Sequence, residues 1–94
     1  MKAFNEGQEK RIRERVSQML DREAIPVSGE SRSHIVNIGT SILCTKWGIG
    51  YPGGSFVQAV VDNDLMGAFS RADSINKDAI GFYCKLLYNI GYID

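Results

Sequence analysis

The sequence predicts an all-α fold, a small helical domain of about four short helices preceded by a charged amphipathic N-terminal helix. Two observations carry this prediction. Apolar residues recur three and four positions apart along most of the chain, which is the period of a helix face. Pro, Gly, Asn and Asp interrupt them at intervals suited to short helices. Ninety-four residues fit one domain, 1–94, with a helix over 5–24, a linker over 25–33 and a compact helical body over 34–94.

The first helix is predicted from Asn5, a suitable N-cap, to Ala24, and Pro26 cannot continue it. Most of its surface is charged, with acidic residues early and mixed pairs at helical spacing. Its apolar stripe is narrow and covers little core. We therefore expect the helix to protrude and to pack on a partner subunit as easily as on its own domain. The stripe consists of Ile12, Val16, Met19 and Leu20.

The segment from Ser33 to Trp47 is predicted as a helix, because it is long and no second strand is evident to pair with it. Its β-branched residues and Gly39 lower helix propensity, so a strand over 34–38 stays open as an alternative. The apolar residues that fit one helical face are Ile35, Val36, Ile38, Ile42, Leu43 and Trp47.

The body continues through a glycine-rich loop, 48–54, into three predicted helices that are separated by capping residues. Ser55 is expected to cap the first of these helices, Asn63 or Asp64 the second, and Asp73 or Ser74 the third. The helices are predicted over Phe56–Asp62, Leu65–Ala72 and Ile75–Asn89.

Composition excludes several classes of function. The formal net charge is zero, so the chain lacks the basic field of a general nucleic-acid binder, and no charge repulsion opposes a homo-oligomer. His34 cannot complete a zinc set with Cys44 and Cys84, so we expect no metal and no cofactor. Both cysteines have apolar neighbours and are expected to be buried free thiols, with a disulfide as the alternative.

The localisation predicted from the sequence is cytoplasmic. The N-terminus is charged and lacks the apolar run of a signal peptide. No apolar run approaches the roughly 20 residues that cross a bilayer, so no membrane partner is expected.

No strong catalytic motif is present, and the chain is expected not to be an enzyme. The glycine-rich loop has no Gly-Lys-Ser/Thr, and the acidic run 62–64 does not have EF-hand spacing. His34 has no evident nucleophile or carboxylate partner. The polar residues between the later helices are interpreted as structural caps and ion-pair residues, namely Asn63, Asp64, Asp73 and Asn76.

Five residues are candidates for binding a ligand or a partner. Arg71 either forms an ion pair with Asp62 or Asp64 or acts as a fork for phosphate or carboxylate. Two aromatic residues flank the glycine-rich turn and suit a stacking platform or an interface anchor. Two arginines belong to the densest positive patch, on the first helix. The candidates are Arg71, Trp47, Tyr51, Arg11 and Arg15.

The run GIGYPGGSFVQAVVDNDLMGAFSRADSIN and the later LLYN, within 48–89, resemble small uncharacterised accessory proteins of tailed bacteriophages and prophages. The shared features are a Gly/Pro turn, Asn-Asp-Leu, Arg-Ala-Asp and Leu-Tyr-Asn. The chain departs from the pattern in having Gly-Tyr-Pro-Gly-Gly where a doubled proline is usual, and the charged N-terminal helix lies outside the resemblance. The resemblance implies phage origin and no catalytic residues.

The function expected from the resemblance is that of a non-enzymatic phage accessory protein. Such a protein would act in the host cytoplasm and antagonise a host defence system by binding either a host protein or a nucleotide-type signalling molecule. A homo-oligomer is the expected form. The alternative is a structural or assembly role in the virion.

Overall fold

The computed structural model describes residues 6–23, 25 and 27–94, and these residues form five α-helices and no β-strand. The all-α prediction is confirmed. The expected cap at Asn5 and the expected helix end at Ala24 and Pro26 lie outside the described residues. The helices are α1 (Glu6–Arg22), α2 (Gly29–Trp47), α3 (Ser55–Val61), α4 (Leu65–Arg71) and α5 (Ser74–Asn89).

The first helix does not protrude, contrary to the expectation from its narrow stripe. It packs chiefly on α2, with a smaller contact to α5, and all four stripe residues are buried. Gly39 makes this close packing possible. A Cβ built there would lie 2.8 Å from Leu86 Cδ1 and 2.9 Å from Val16 Cγ1. The glycine that lowers helix propensity is therefore the point where α1, α2 and α5 meet.

The second helix begins at Gly29, four residues before the predicted Ser33, so the predicted linker over 25–33 is too long. Arg32, in the part of α2 before the predicted start, contacts α1. Its Nη2 donates to Asp21 Oδ1 at 2.6 Å and to Ser17 Oγ at 2.9 Å. The whole segment 34–38 is helical, which excludes the strand alternative. Gly48 ends α2 in the left-handed conformation, with φ of 69°.

The turns between the last three helices use the capping residues in distinct ways. Asp64 accepts the Gly67 N–H at 2.9 Å and caps α4, whereas Asn63 supplies the left-handed turn residue, with φ of 61°. Asp73 accepts the Asn76 N–H at 2.7 Å and caps α5. The N-cap of α3 is Gly54, with Ser55 as the first helical residue, so the predicted cap at Ser55 is wrong by one position.

The chain buries its own core to the extent expected of a monomer. Its accessible surface is 5617 Å², against about 5,400 Å² expected for a folded monomer of its mass. The centre of the core is formed by fully buried side chains from α1, α2, α5 and the loop after α2. These include Ile12, Val16, Ile42, Leu43, Ile49, Tyr83 and Leu86. The core is therefore buried within one chain, without surface from a second subunit.

Candidate functional site

A cleft of about 350 Å³, lined mainly by residues with polar side chains, lies between α1, α2 and the loop 48–54. Tyr51 stands at its edge with 90% of its surface exposed. An exposed aromatic side chain contributes much binding free energy when a partner covers it, because it carries a large apolar area and a polar tip. Other side chains that line the cleft are Glu9, Arg13, Asn37, Ser41 and Cys44.

The charges in this cleft already satisfy each other. Arg13 Nη2 and Nε donate to Glu9 Oε1 at 2.6 and 3.2 Å, one helical turn apart on α1. Arg13 Nη1 donates to Asn37 Oδ1 on α2. The guanidinium is therefore held in one orientation, and its charge is balanced by Glu9. An incoming phosphate would have to compete with that carboxylate.

The Cys44 thiol in the cleft is kept protonated. Burial, followed by the negative charge of Glu9, raises its pKa, and Arg13 opposes this with a smaller effect. A protonated thiol is a poor nucleophile. Cys44 and Cys84 are both free, which excludes the disulfide alternative. Cys84 is exposed and Cys44 is half-buried, so the expectation that both cysteines are buried is wrong.

Trp47 does not share the cleft with Tyr51, although the two residues flank the same turn. It is partly buried and packs edge-on against Tyr92, with ring centroids 5.3 Å apart. Gln8 Nε2 donates to the Tyr92 hydroxyl at 2.9 Å and to the Ile93 carbonyl at 2.8 Å. Arg11 Nε donates to the Asp94 carbonyl at 2.6 Å. Trp47 and Arg11 therefore hold the segment 92–94.

The other two candidate arginines lie elsewhere. Arg15 has a buried Nη1 atom with no hydrogen-bond partner in the described part of the chain. Arg71 lines a separate surface pocket beside Ser55, Asp62 and Asp64. The described residues place no carboxylate within 4.0 Å of it, so the expected ion pair with Asp62 or Asp64 is not formed. The five candidate residues do not converge on one site.

A polar network surrounds the start of α5, exposed at Asp73 and buried at Tyr83. The sequence predicted the Asp73 cap in this network but not its other contacts. Asp73, the α5 cap, also lies 3.1 Å from His34 Nε2 on α2. The Tyr83 hydroxyl donates to Asn76 Oδ1 at 2.7 Å. Burial of Tyr83, and then the charge of Asp73, raises the pKa of that hydroxyl well above the ordinary tyrosine value. These contacts connect parts of the fold: the Asp73 carboxylate accepts the Asn76 backbone N–H, and the Asn76 side-chain oxygen accepts the Tyr83 hydroxyl.

The α4 helix exposes most of its large apolar residues. Only Ala68 is buried, whereas Leu65, Met66 and Phe69 are 58%, 82% and 44% exposed. The sequence predicted an apolar face here, but a seven-residue helix with apolar side chains on most sides does not reveal which of them face water.

The described residues include no cluster of three or more His, Cys, Asp or Glu side chains that could hold a metal ion. Within the same residues, no helix is long and apolar enough to cross a membrane. No family model, curated protein or solved structure matches the chain, so its function must be argued from its own residues.

Proposed function

We propose that the chain is a non-enzymatic accessory protein of phage origin that antagonises a host defence system by binding a host protein. The phage origin rests on the sequence resemblance over residues 48–89. The choice of a protein target rests on the Tyr51 face, by which we mean Tyr51, Glu9, Arg13 and Asn37. The observation that carries this choice is the exposed Tyr51 ring beside a cleft whose charges are already paired.

The Tyr51 face has the chemistry of an interface that forms and dissociates. Tyr and Arg are enriched among the residues that contribute most to protein–protein affinity. Interfaces between separately folded proteins are about as polar as ordinary protein surface and carry many hydrogen bonds. Tyr51 can fill a pocket on the target, while the cleft beside it accepts a side chain from the target. Arg13 is held in place by Glu9 and Asn37, so less side-chain entropy is lost on binding.

A nucleotide-type ligand is the second candidate, because a cleft of about 350 Å³ has the size of a small-molecule site. The charges in the cleft favour a nucleotide-type ligand less than a protein target. Arg13 is the one arginine that lines this cleft, and Glu9 neutralises it. Arg11 and Trp47 hold the segment 92–94, and Arg71 lines another pocket. Among the described residues, phosphate groups would find no unpaired cation in the cleft.

The test compares two exposed residues on different surfaces of the protein. Wild-type protein is used to capture its target from host-cell extract, and the dissociation constant is then measured with the purified target. Tyr51→Ala should weaken binding by about 2 kcal/mol, roughly thirty-fold. Met66→Ala, which removes a comparably exposed side chain on α4, should leave the affinity per protomer unchanged. Equal affinity of Tyr51→Ala and wild type would overturn the assignment of this face.

The nucleotide alternative is tested in parallel by thermal shift with cyclic nucleotides and ADP-ribose-type molecules. We expect none of them to raise the melting temperature. A rise in wild type that disappears in both Tyr51→Ala and Arg13→Ala would replace the protein target with a nucleotide ligand in the same cleft.

A further inference from the structure

The α4 helix presents exposed apolar side chains, here called its projection, and its principal neighbour among the described residues is α3. It packs on α3, and its capping Asp64 accepts the Gly67 N–H at its first turn. Leu65 and Phe69 are one turn apart and share a side of the helix, and Met66 lies next to Phe69 at three-residue spacing. A seven-residue helix is not stable in isolation. An outward apolar side of this kind normally marks a contact surface.

An apolar groove runs beside this projection along α5. Two adjoining cavities, of about 30 and 300 Å³, form it, and both are lined by Val60, Asn63 and Cys84. Leu65 closes one end and Tyr88, which is 89% exposed, stands at the other. Projection and groove therefore occur side by side on one surface. We call this surface the α4–α5 face, and define it by Leu65, Met66, Phe69, Cys84 and Tyr88.

We propose that the α4–α5 face is covered by a second copy of the chain in a two-fold symmetric dimer, with α4 of each copy seated in the groove of the other. In such a dimer the same surface is used on both copies and must be complementary to itself. A projection next to a groove meets that requirement, because a two-fold rotation places each copy's projection over the other's groove.

The charges at the two ends of the groove agree with the same symmetry. Asp64 lines one cavity and Lys46 lines the other, with Cys84 shared between them. A two-fold axis near Cys84 exchanges the two ends, so Asp64 of each copy faces Lys46 of the other. The zero net charge of the chain adds no long-range repulsion between copies.

The exposed apolar side chains supply more than half of the area that a stable dimer needs. Leu65, Met66, Phe69 and Tyr88 together expose about 500 Å², taking roughly 200 Å² for a large side chain. Each partner in a typical stable interface contributes about 800 Å², and the groove walls supply more. Homodimer interfaces are also more apolar than transient ones, which fits this face better than the polar Tyr51 face. The segment 92–94 cannot be the occupant, because Gln8 and Arg11 hold it elsewhere.

The first test measures the mass in solution by light scattering coupled to gel filtration. Wild type at micromolar concentration should have twice the 10.4 kDa mass of one chain. Met66→Asp should be monomeric with unchanged helical content, since the core is buried within one chain. Tyr51→Asp, with a charge at a similarly exposed position outside the face, should stay dimeric. A monomeric wild type, or a dimeric Met66→Asp protein, would overturn the proposal.

The second test locates the axis with a short bismaleimide, which links two thiols without an oxidant. Cys84 is exposed and near the proposed axis, whereas the Cys44 thiol is partly buried. The linked dimer should form in wild type and Cys44→Ser and disappear in Cys84→Ser and Met66→Asp. A dimer that links through Cys44, or not at all, would overturn the placement of the contact.

These outcomes are separable from those for the target-binding face. Tyr51→Ala is expected to lose target affinity and keep the dimer mass. Met66→Asp is expected to lose the dimer mass and keep target affinity per protomer. If one of these two expected patterns is not observed, the other proposal is still tested by its own variant.

Discussion

His34 Nε2 lies 3.1 Å from Asp73 Oδ2 and so joins α2 to the start of α5 across thirty-nine positions of sequence. The other carboxylate oxygen, Oδ1, accepts the Asn76 N–H at 2.7 Å. Asn76 in turn accepts the Tyr83 hydroxyl. A single carboxylate therefore both begins α5 and connects it to α2.

Removal of this carboxylate should destabilise the fold mainly through the loss of the cap. We expect Asp73→Ala to lower the free energy of unfolding by about 1–2 kcal/mol, as for other N-cap deletions. Asp73→Asn keeps an oxygen for the Asn76 N–H and should cost less than about 1 kcal/mol, because the His34 pair is half exposed. Urea denaturation measures both. Asp73→Ala and Asp73→Asn of equal stability would show that the oxygen cap contributes nothing.

The Tyr83 hydroxyl should be needed for stability although the ring alone fills the core. Tyr83→Phe leaves Asn76 Oδ1 buried without its donor, which should cost about 1–3 kcal/mol. Tyr51→Phe is the matched control, since this hydroxyl is on an exposed side chain outside the α4–α5 face and its loss should be neutral. Chemical denaturation of the two variants tests the difference. A neutral Tyr83→Phe would mean that Asn76 finds another donor.

The same tyrosine should make the fold sensitive to alkali. Its pKa is raised in the folded state, so the folded protein keeps the proton at a pH where the unfolded chain, with a pKa of about 10, loses it. The unfolded state then binds fewer protons than the folded state, and stability falls as the pH rises above about 10. Below that pH the contribution is fully present.

Unfolding free energies measured across the alkaline range test this dependence. The wild type should lose stability more steeply than Tyr83→Phe, which has no hydroxyl to ionise. Parallel pH profiles for the two proteins would contradict the raised pKa.

The sequence revealed those parts of the structure that depend on neighbours in the chain. The caps at Asp64 and Asp73 could be predicted because each accepts an N–H three residues further on. The His34–Asp73 contact could not, because nothing local indicates which α2 residue passes the start of α5. Trp47 and Tyr51 looked equivalent beside the same turn. Only the position of Tyr92, distant in sequence, distinguishes the packed ring from the exposed one.

The α4–α5 face could not be predicted from the sequence, for a related reason. Helical period identifies an apolar side, but burial depends on what lies opposite it. For α1 the narrow stripe met α2 and became fully buried. For α4 the described residues provide only α3 as a principal neighbour, so Met66 stays exposed. Sequence reasoning therefore expected the exposed apolar surface on α1, whereas the structure has it on α4.

Gly39 and Gly81 should respond in opposite directions to the same substitution. Both are helical, and alanine raises helix propensity by about 1 kcal/mol at either site. At Gly39 the added Cβ would lie within 2.9 Å of Val16 and Leu86 side-chain atoms, so α1 or α5 must shift. Overpacking of this kind typically costs about 1–3 kcal/mol. We expect Gly39→Ala to be neutral to destabilising by up to about 2 kcal/mol once the propensity gain is included.

At Gly81 a Cβ meets no atom within 4 Å, and the residue is exposed on α5. Gly81→Ala should therefore stabilise the protein by up to about 1 kcal/mol. Thermal and urea unfolding of the two variants, at equal protein concentration, measure the difference in sign. A Gly39→Ala protein as stable as Gly81→Ala would mean that α1 does not pack as closely on α2 as this glycine implies.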